Sequence, residues 1–149
     1  EISAAILGWP THSVAEIIGY VRGADSLDDD GDGDTAENRP VIIADVLHSE
    51  PLVVRYNYTD KSSKTYVYFG TNDGMLHAVK DIEDPNVDID NDETNYGTED
   101  WAFIPPDQLH RLKDMVEGVG HQYYVDSSPK AYFKDINKKN GLQYMEGIL

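Results

Sequence analysis

The sequence predicts a mainly β protein, built of repeated strand units with two short inserted helices, and three stretches carry that prediction. Tyr66 to Val79, YVYFGTNDGMLHAV, sets an Asn-Asp-Gly turn between two apolar runs. Tyr, Val, Phe and Thr fit a pleated surface, and Asn-Asp-Gly accepts the positive φ angles of a tight hairpin turn. His48 to Val54, His-Ser-Glu-Pro-Leu-Val-Val, overlays Asp126 to Phe133, Asp-Ser-Ser-Pro-Lys-Ala-Tyr-Phe, about eighty residues later. Each has Ser-x-Pro ahead of a strand, and proline within sheets is confined to strand beginnings and edges. The closing stretch, His121 to Leu149, reads as two or three strands around an Asn-Gly turn at Asn140 and Gly141.

In chain order, THSVAEIIGYVRG is a short helix. Ser13 and Glu16 have the spacing of a capping box, Val14, Ile17, Ile18 and Val21 recur at three and four residues, and Gly23 ends it. Ala24 to Arg39 has one apolar side chain of any size and is a loop. PVIIADVLHSEPLVV holds two apolar runs broken at His48-Ser49-Glu50-Pro51, both expected to be strands. The hairpin follows, with Tyr66 to Thr71 expected antiparallel to Met75 to Val79. A second acidic loop then leads to WAFIP. PDQLHRLKDMVEG offers Leu109, Leu112 and Val116 on one helical face, closed by Gly118 and Gly120. The final run, LQYMEGIL, is expected to be an unpaired or mispaired edge.

The 149 residues, 40% hydrophobic and 10% aromatic, suit a globular fold. Twelve basic against 28 acidic residues give a net charge of −16, a field that repels phosphate backbones and anionic headgroups, so neither nucleic acid nor direct membrane insertion is expected. Without cysteine there are no disulfides, thiol nucleophiles or thiolate metal sites. No apolar run approaches the roughly 20 residues of a membrane span, and the start, EISAAILGWP, reads as that of a mature product or an excised piece.

Enzymatic chemistry is not expected. The sequence offers no Ser-His-Asp spacing, phosphate-cradling glycine loop or His-x-x-x-His pair, and its five histidines are scattered. His77, on the return strand of the hairpin, reads as a packed or hydrogen-bonded residue. The acidic loops are the candidates for binding. LDDDGDGDT puts Asp28, Asp30, Asp32 and Asp34 on alternate residues. The first three take positions 1, 3 and 5 of an EF-hand-like calcium loop, with Gly33 at 6, where the chain must turn sharply. Position 12 is Arg39, so the closing ligand falls to Asp34 or Glu37. The other reading is a solvated acidic linker. A weaker second calcium loop places Asp88, Asp90 and Asp92 ahead of Glu99, with Glu93 where glycine would stand.

GTNDGMLHAVKD and YGTEDWAFIP resemble a blade of the quinoprotein-type β-propellers at Gly74, Ala78, Gly97 and Trp101. YVRG, DVLHSEPLVV, YVYFGTNDGMLHAV, EDWAFIP and the stretch from His121 to Pro129 occur in the order found in the C-terminal propeller of the PilY/PilC-type proteins of type IV pili. Together they reach from Gly19 to Pro129. The resemblance implies a partial β-propeller of about two to three blades, residues 1–149 being its N-terminal portion within a much larger protein. It implies a non-enzymatic tip or adhesin module that supports pilus assembly, opposes retraction and contributes to adhesion or twitching, with calcium as regulator. Its implied partners are the remainder of the propeller, minor pilins or the pilus tip complex, and a host or surface receptor. Its implied place is exported, at the pilus tip, cell surface or outer membrane of a Gram-negative bacterium. The alternative is an exported dehydrogenase using pyrroloquinoline quinone. Such enzymes generally hold the cofactor beneath a vicinal disulfide, which this chain cannot form.

Overall fold

A computed structural model of the chain describes residues 2–8, 10–59, 62–81, 97–137 and 142–148. They form six strands, β1 (Leu52–Thr59), β2 (Ser62–Gly70), β3 (Leu76–Asp81), β4 (Glu99–Phe103), β5 (Ala131–Asn137) and β6 (Leu142–Ile148), and two short helices, α1 (Val14–Val21) and α2 (Leu112–Val116). The mainly β reading with two helices therefore holds. The chain divides into two compact units: Glu1–Leu47, Thr71–Met75 and Ile104–Asp126 form the first, and His48–Gly70, Leu76–Phe103 and Ser127–Leu149 the second.

The second unit is the sheet-bearing one. β1, β2, β3 and β4 pair antiparallel in sequence order, and β5 pairs antiparallel with β6. Alternation along the strands explains which face is buried: Leu52 and Val54 lie inward while Val53 between them is exposed. Val54, Tyr68 and Ala78 form the core, with Leu52, Tyr66, Leu76 and Ala131 packed against it. Tyr66 and Tyr68, two apart on one strand face, stack with ring centres 5.9 Å apart, and Trp101 meets Tyr68 at 5.8 Å. Ala78 stands opposite Trp101 in the ladder, where a small side chain leaves room for the indole.

The two Ser-x-Pro segments both precede strands, β1 directly after Pro51 and β5 two residues after Pro129. They also touch: the Glu50 N–H donates to Ser128 Oγ at 2.9 Å, and Ser49 Oγ accepts the Gly70 N–H at 2.8 Å.

Four expectations need correction or refinement. The first apolar run, Val41 to Leu47, is irregular and its large side chains are mostly exposed, Val41 at 69%, because no strand among the described residues pairs with it. The hairpin forms in the expected antiparallel sense, but its strands stop at Gly70 and Leu76. Of Asn72, Asp73 and Gly74 only Gly74 has a positive φ, at 85°. The Gly74 N–H bonds Thr71 O and the Thr71 N–H bonds Met75 O, the pattern of a three-residue loop in which one left-handed residue follows an ordinary turn. β6 is paired along one side, with β5, rather than unpaired. The closing stretch yields two strands, and its Asn140-Gly141 turn lies outside the described residues.

The first unit carries the helices. α1 starts at a capping box: the Glu16 N–H donates to Ser13 Oγ and the Ser13 N–H to Glu16 Oε2. Gly23 follows its end at φ 97°. α2 continues a 3₁₀ turn at Leu109–Arg111 and packs against α1, with Leu112 buried and Leu109 and Val116 partly so. The Thr11 N–H and hydroxyl both donate to Glu117 Oε1, and Lys113 Nζ donates to Gly8 O.

Candidate metal centre

The acidic loop after α1 is closed by a short antiparallel stem. Ala24 bridges Asn38, the Asp25 N–H bonds Glu37 O at 2.8 Å and the Arg39 N–H bonds Gly23 O at 2.8 Å. This stem sets Asp25 opposite Glu37. Inside the loop the carboxylates bind backbone N–H groups, the usual habit of aspartate in turns. Asp28 Oδ1 accepts from Gly33 at 3.0 Å, Asp30 Oδ1 from Asp32 at 3.2 Å, Asp32 Oδ1 from Asp34 at 2.7 Å and Asp34 Oδ1 from Ala36 at 2.9 Å. Asp28 holds a left-handed φ of 57°, and Gly31 and Gly33 have positive φ. The chain thus folds back at the glycines so that alternate carboxylates converge.

Two groups of carboxylates have oxygens within 4.8 Å of one another: Asp25, Asp28 and Asp30, and Asp30, Asp32 and Glu37. Asp30 is common to both. Of the residues expected from sequence, Asp28 and Asp30 fall in the first group and Asp30 and Asp32 in the second, Asp34 lies outside both, and Glu37 joins the second. Repulsion from Asp32, then burial, then Asp30, Asp34 and Asp25 push the Glu37 carboxyl above its usual 4.5, which places these charges within one another's field. Asp88, Asp90 and Asp92 lie outside the described residues.

Sequence counting missed Asp25. It precedes the EF-hand frame that begins at Asp28, and its signal was its place just after the glycine that ends α1. It is the buried member of the group, 0% exposed, with Oδ1 accepting the Asp29 N–H at 2.7 Å. Oδ2 and Arg39 Nε are buried polar atoms without a hydrogen-bond partner among the described residues. Arg39, at the twelfth loop position, does not bind the carboxylate groups. Its guanidinium lies 3.9 Å over the Tyr20 ring, donates to Tyr20 O and faces Asp29 at 3.8 Å. The Tyr20 hydroxyl donates to Asp29 Oδ2 at 3.0 Å, and burial together with that carboxylate raises its pKa, keeping it a donor.

Two of the histidines, His77 and His121, make structural contacts. His77 is buried, holds Glu99 Oε2 at 2.5 Å through Nδ1 and stacks on Phe69. His121 and Asn72 both approach Asp45 Oδ2, at 3.4 and 2.8 Å. Burial raises the Asp45 carboxyl, but these hydrogen bonds outweigh it and hold the group below its usual 3.8.

The chain is similar to curated proteins described as type IV pilus biogenesis factor PilY1 or its homolog. It is 31% identical over 133 residues to the homolog of Xylella fastidiosa strain Temecula1, covering 75% of this chain and 10% of that protein. To the Pseudomonas aeruginosa proteins it is 26% identical over 139 residues in strain UCBPP-PA14, covering 77% and 10%, and 32% over 120 residues in strain PAO1, covering 64% and 9%. The chain thus spans about a tenth of the length of the curated relatives it matches. No family model matches it, and no solved structure does so significantly.

Proposed function

From relatives that bear the name of type IV pilus biogenesis factors over one shared tenth of their length, we propose that this chain is a segment of such a factor and serves pilus biogenesis. In this reading it is the opening part of a β-propeller, a non-enzymatic module of an exported protein at the pilus tip, cell surface or outer membrane. It meets the rest of the propeller, minor pilins and an external receptor, supports assembly against retraction, and contributes to adhesion. The observation that carries the reading is the similarity itself, which recurs over about three quarters of the chain in proteins of two genera. Four antiparallel strands in sequence order suit a blade, and two Ser-x-Pro strand starts joined by a hydrogen bond suit successive blades. No helix among the described residues is long and apolar enough to cross a membrane.

The test is in-frame removal of residues 1–149 from the parent gene, followed by measurement of surface pilin and twitching. Loss of both is expected, with surface pilin restored when the retraction motor is also deleted. Unchanged piliation sinks the biogenesis role, and piliation that stays lost without the motor sinks the part assigned to opposing retraction.

A further inference from the structure

Residues 41–47 of the first unit have the composition of a strand and no strand beside them among the described residues. Val41, Ile42, Ile43, Val46 and Leu47 are 69, 44, 43, 42 and 52% exposed, a contiguous apolar patch of the kind that marks a contact surface. Their backbone N–H and C=O groups make no hydrogen bond among the described residues. The stretch is nevertheless anchored. At its middle the Ala44 N–H donates to Asp73 Oδ2 at 3.4 Å, the Asn72 N–H donates to Asp45 O at 3.1 Å and Asn72 Nδ2 donates to Asp45 Oδ2 at 2.8 Å. Nearer its start, Ile42 lies over Gly23, its Cγ2 2.9 Å from where a Cβ on that glycine would stand. An apolar, β-branched stretch held in place with its ladder groups open is the form that accepts a further strand, and holding it in advance lowers the ordering cost of doing so.

We propose that residues 41–47 are the docking strand for an extended segment of the parent protein that lies outside residues 1–149, apolar at alternate positions and carrying Lys or Arg where it passes the acidic loop. Such an occupant presupposes that the chain is a segment of a longer factor, the reading given above. The matched stretch takes up about a tenth of each curated relative, so the rest of that length is present in the same molecule, where tethering gives a high effective concentration. Charge argues against a second copy in the same place. Each copy carries a net −16, and Asp28, Asp29, Asp30, Asp32, Asp34 and Glu37 stand just ahead of the stretch, so two copies would bring like fields together. Basic side chains on the incoming segment turn the same field into attraction.

The test is cysteine labelling in the full-length parent protein. Val41→Cys, Ile43→Cys and Ala36→Cys, the last an exposed control, are reacted with a maleimide both in the native state and in urea, and each labelled peptide is followed by mass spectrometry. Relative to the rate in urea, positions 41 and 43 should react at least about tenfold more slowly than position 36. Protection at 41 and 43 no greater than at 36 overturns the proposal. Ile43→p-benzoylphenylalanine then identifies the occupant by photo-cross-linking in mixed isotopically light and heavy parent protein, and Val41→p-benzoylphenylalanine, at the most exposed of the five positions, gives the same readout if the first variant does not fold. A link to residues of the same molecule outside 1–149 is expected. A light–heavy link, which marks a second copy, a link to a different protein, a link within residues 1–149 or no link overturns the proposal. A parent product no longer than 149 residues sinks both this proposal and the reading beneath it, whereas a longer product with freely labelled positions 41 and 43 sinks this proposal alone.

Discussion

Two turns of the first unit both combine aspartate with glycine and threonine and treat their aspartates differently. In Thr71–Met75 the whole turn is buried, Thr71 at 1% and Asp73 at 3% exposure, and every carboxylate oxygen has a donor. Asp73 Oδ1 accepts the Thr71 hydroxyl and the Met75 N–H, while Oδ2 accepts the Ala44 N–H at 3.4 Å. Asn72 donates to Asp45 and accepts from the Tyr124 N–H. In Asp25–Glu37 most of the loop faces water, and its one fully buried carboxylate keeps an oxygen with no hydrogen-bond partner among the described residues. The first turn is closed on itself, and the second leaves one buried oxygen without a donor among the described residues. Acidity alone does not separate them; the accounting of donors does.

The comparison is most sharply broken at Asp73. Asp73→Ala strands several buried donors at once, and we expect a loss of about 2–3 kcal/mol in urea unfolding, with the hairpin's amides losing exchange protection first. A wild-type midpoint would show that the turn's bonds do not hold it. Asp25→Asn should move stability the other way, a gain of about 1 kcal/mol, since it removes a buried charge whose Oδ2 has no hydrogen-bond partner among the described residues. Equal destabilisation by the two replacements would erase the distinction between the turns.

The smallest effect sits at two exposed carboxylates that behave like the closed turn. Hydrogen bonds from the Ser13 side chain and backbone hold Glu16 below its usual 4.5, and those from the Thr11 backbone and side chain do the same for Glu117. The folded chain therefore binds these protons less readily than the unfolded one. Their contribution is present above about pH 4.5 and is lost as pH falls through the lower folded values. Melting temperatures of Glu16→Gln and Glu117→Gln should lie slightly below wild type at about pH 6 and converge with it near about pH 3. A gap that widens on acidification would reverse the sign of this argument.

Local chemistry made much of the fold legible. The Ser13 and Glu16 spacing located α1, the Asn-Asp-Gly turn located the β2–β3 hairpin, and two prolines marked where β1 and β5 begin. Val41 to Leu47 was not legible as irregular, because an apolar run says that a segment can pair and not whether a neighbour is there to pair with it. The alternate spacing of Asp28, Asp30 and Asp32 could be read because it is a local property. Asp25 could not, since its burial and its place opposite Glu37 come from the stem, a contact between the two ends of the loop. Asp34 fits the same alternation and accepts a backbone N–H as the other three do, yet it stands outside both carboxylate groups, a matter of loop geometry that spacing does not carry.

The bond from the Glu50 N–H to Ser128 Oγ joins the middle residues of the two Ser-x-Pro segments across 78 positions of sequence. Closing so long a loop costs little more entropy than closing one half its length, but it cannot occur until the distant residue has been made and delivered. β1, β2 and β3 pair through neighbouring sequence, whereas the start of β1 meets the segment before β5 across a long loop. The repeat thus joins a locally paired meander to a stretch far along the chain, and Ser128 is the residue that makes the junction.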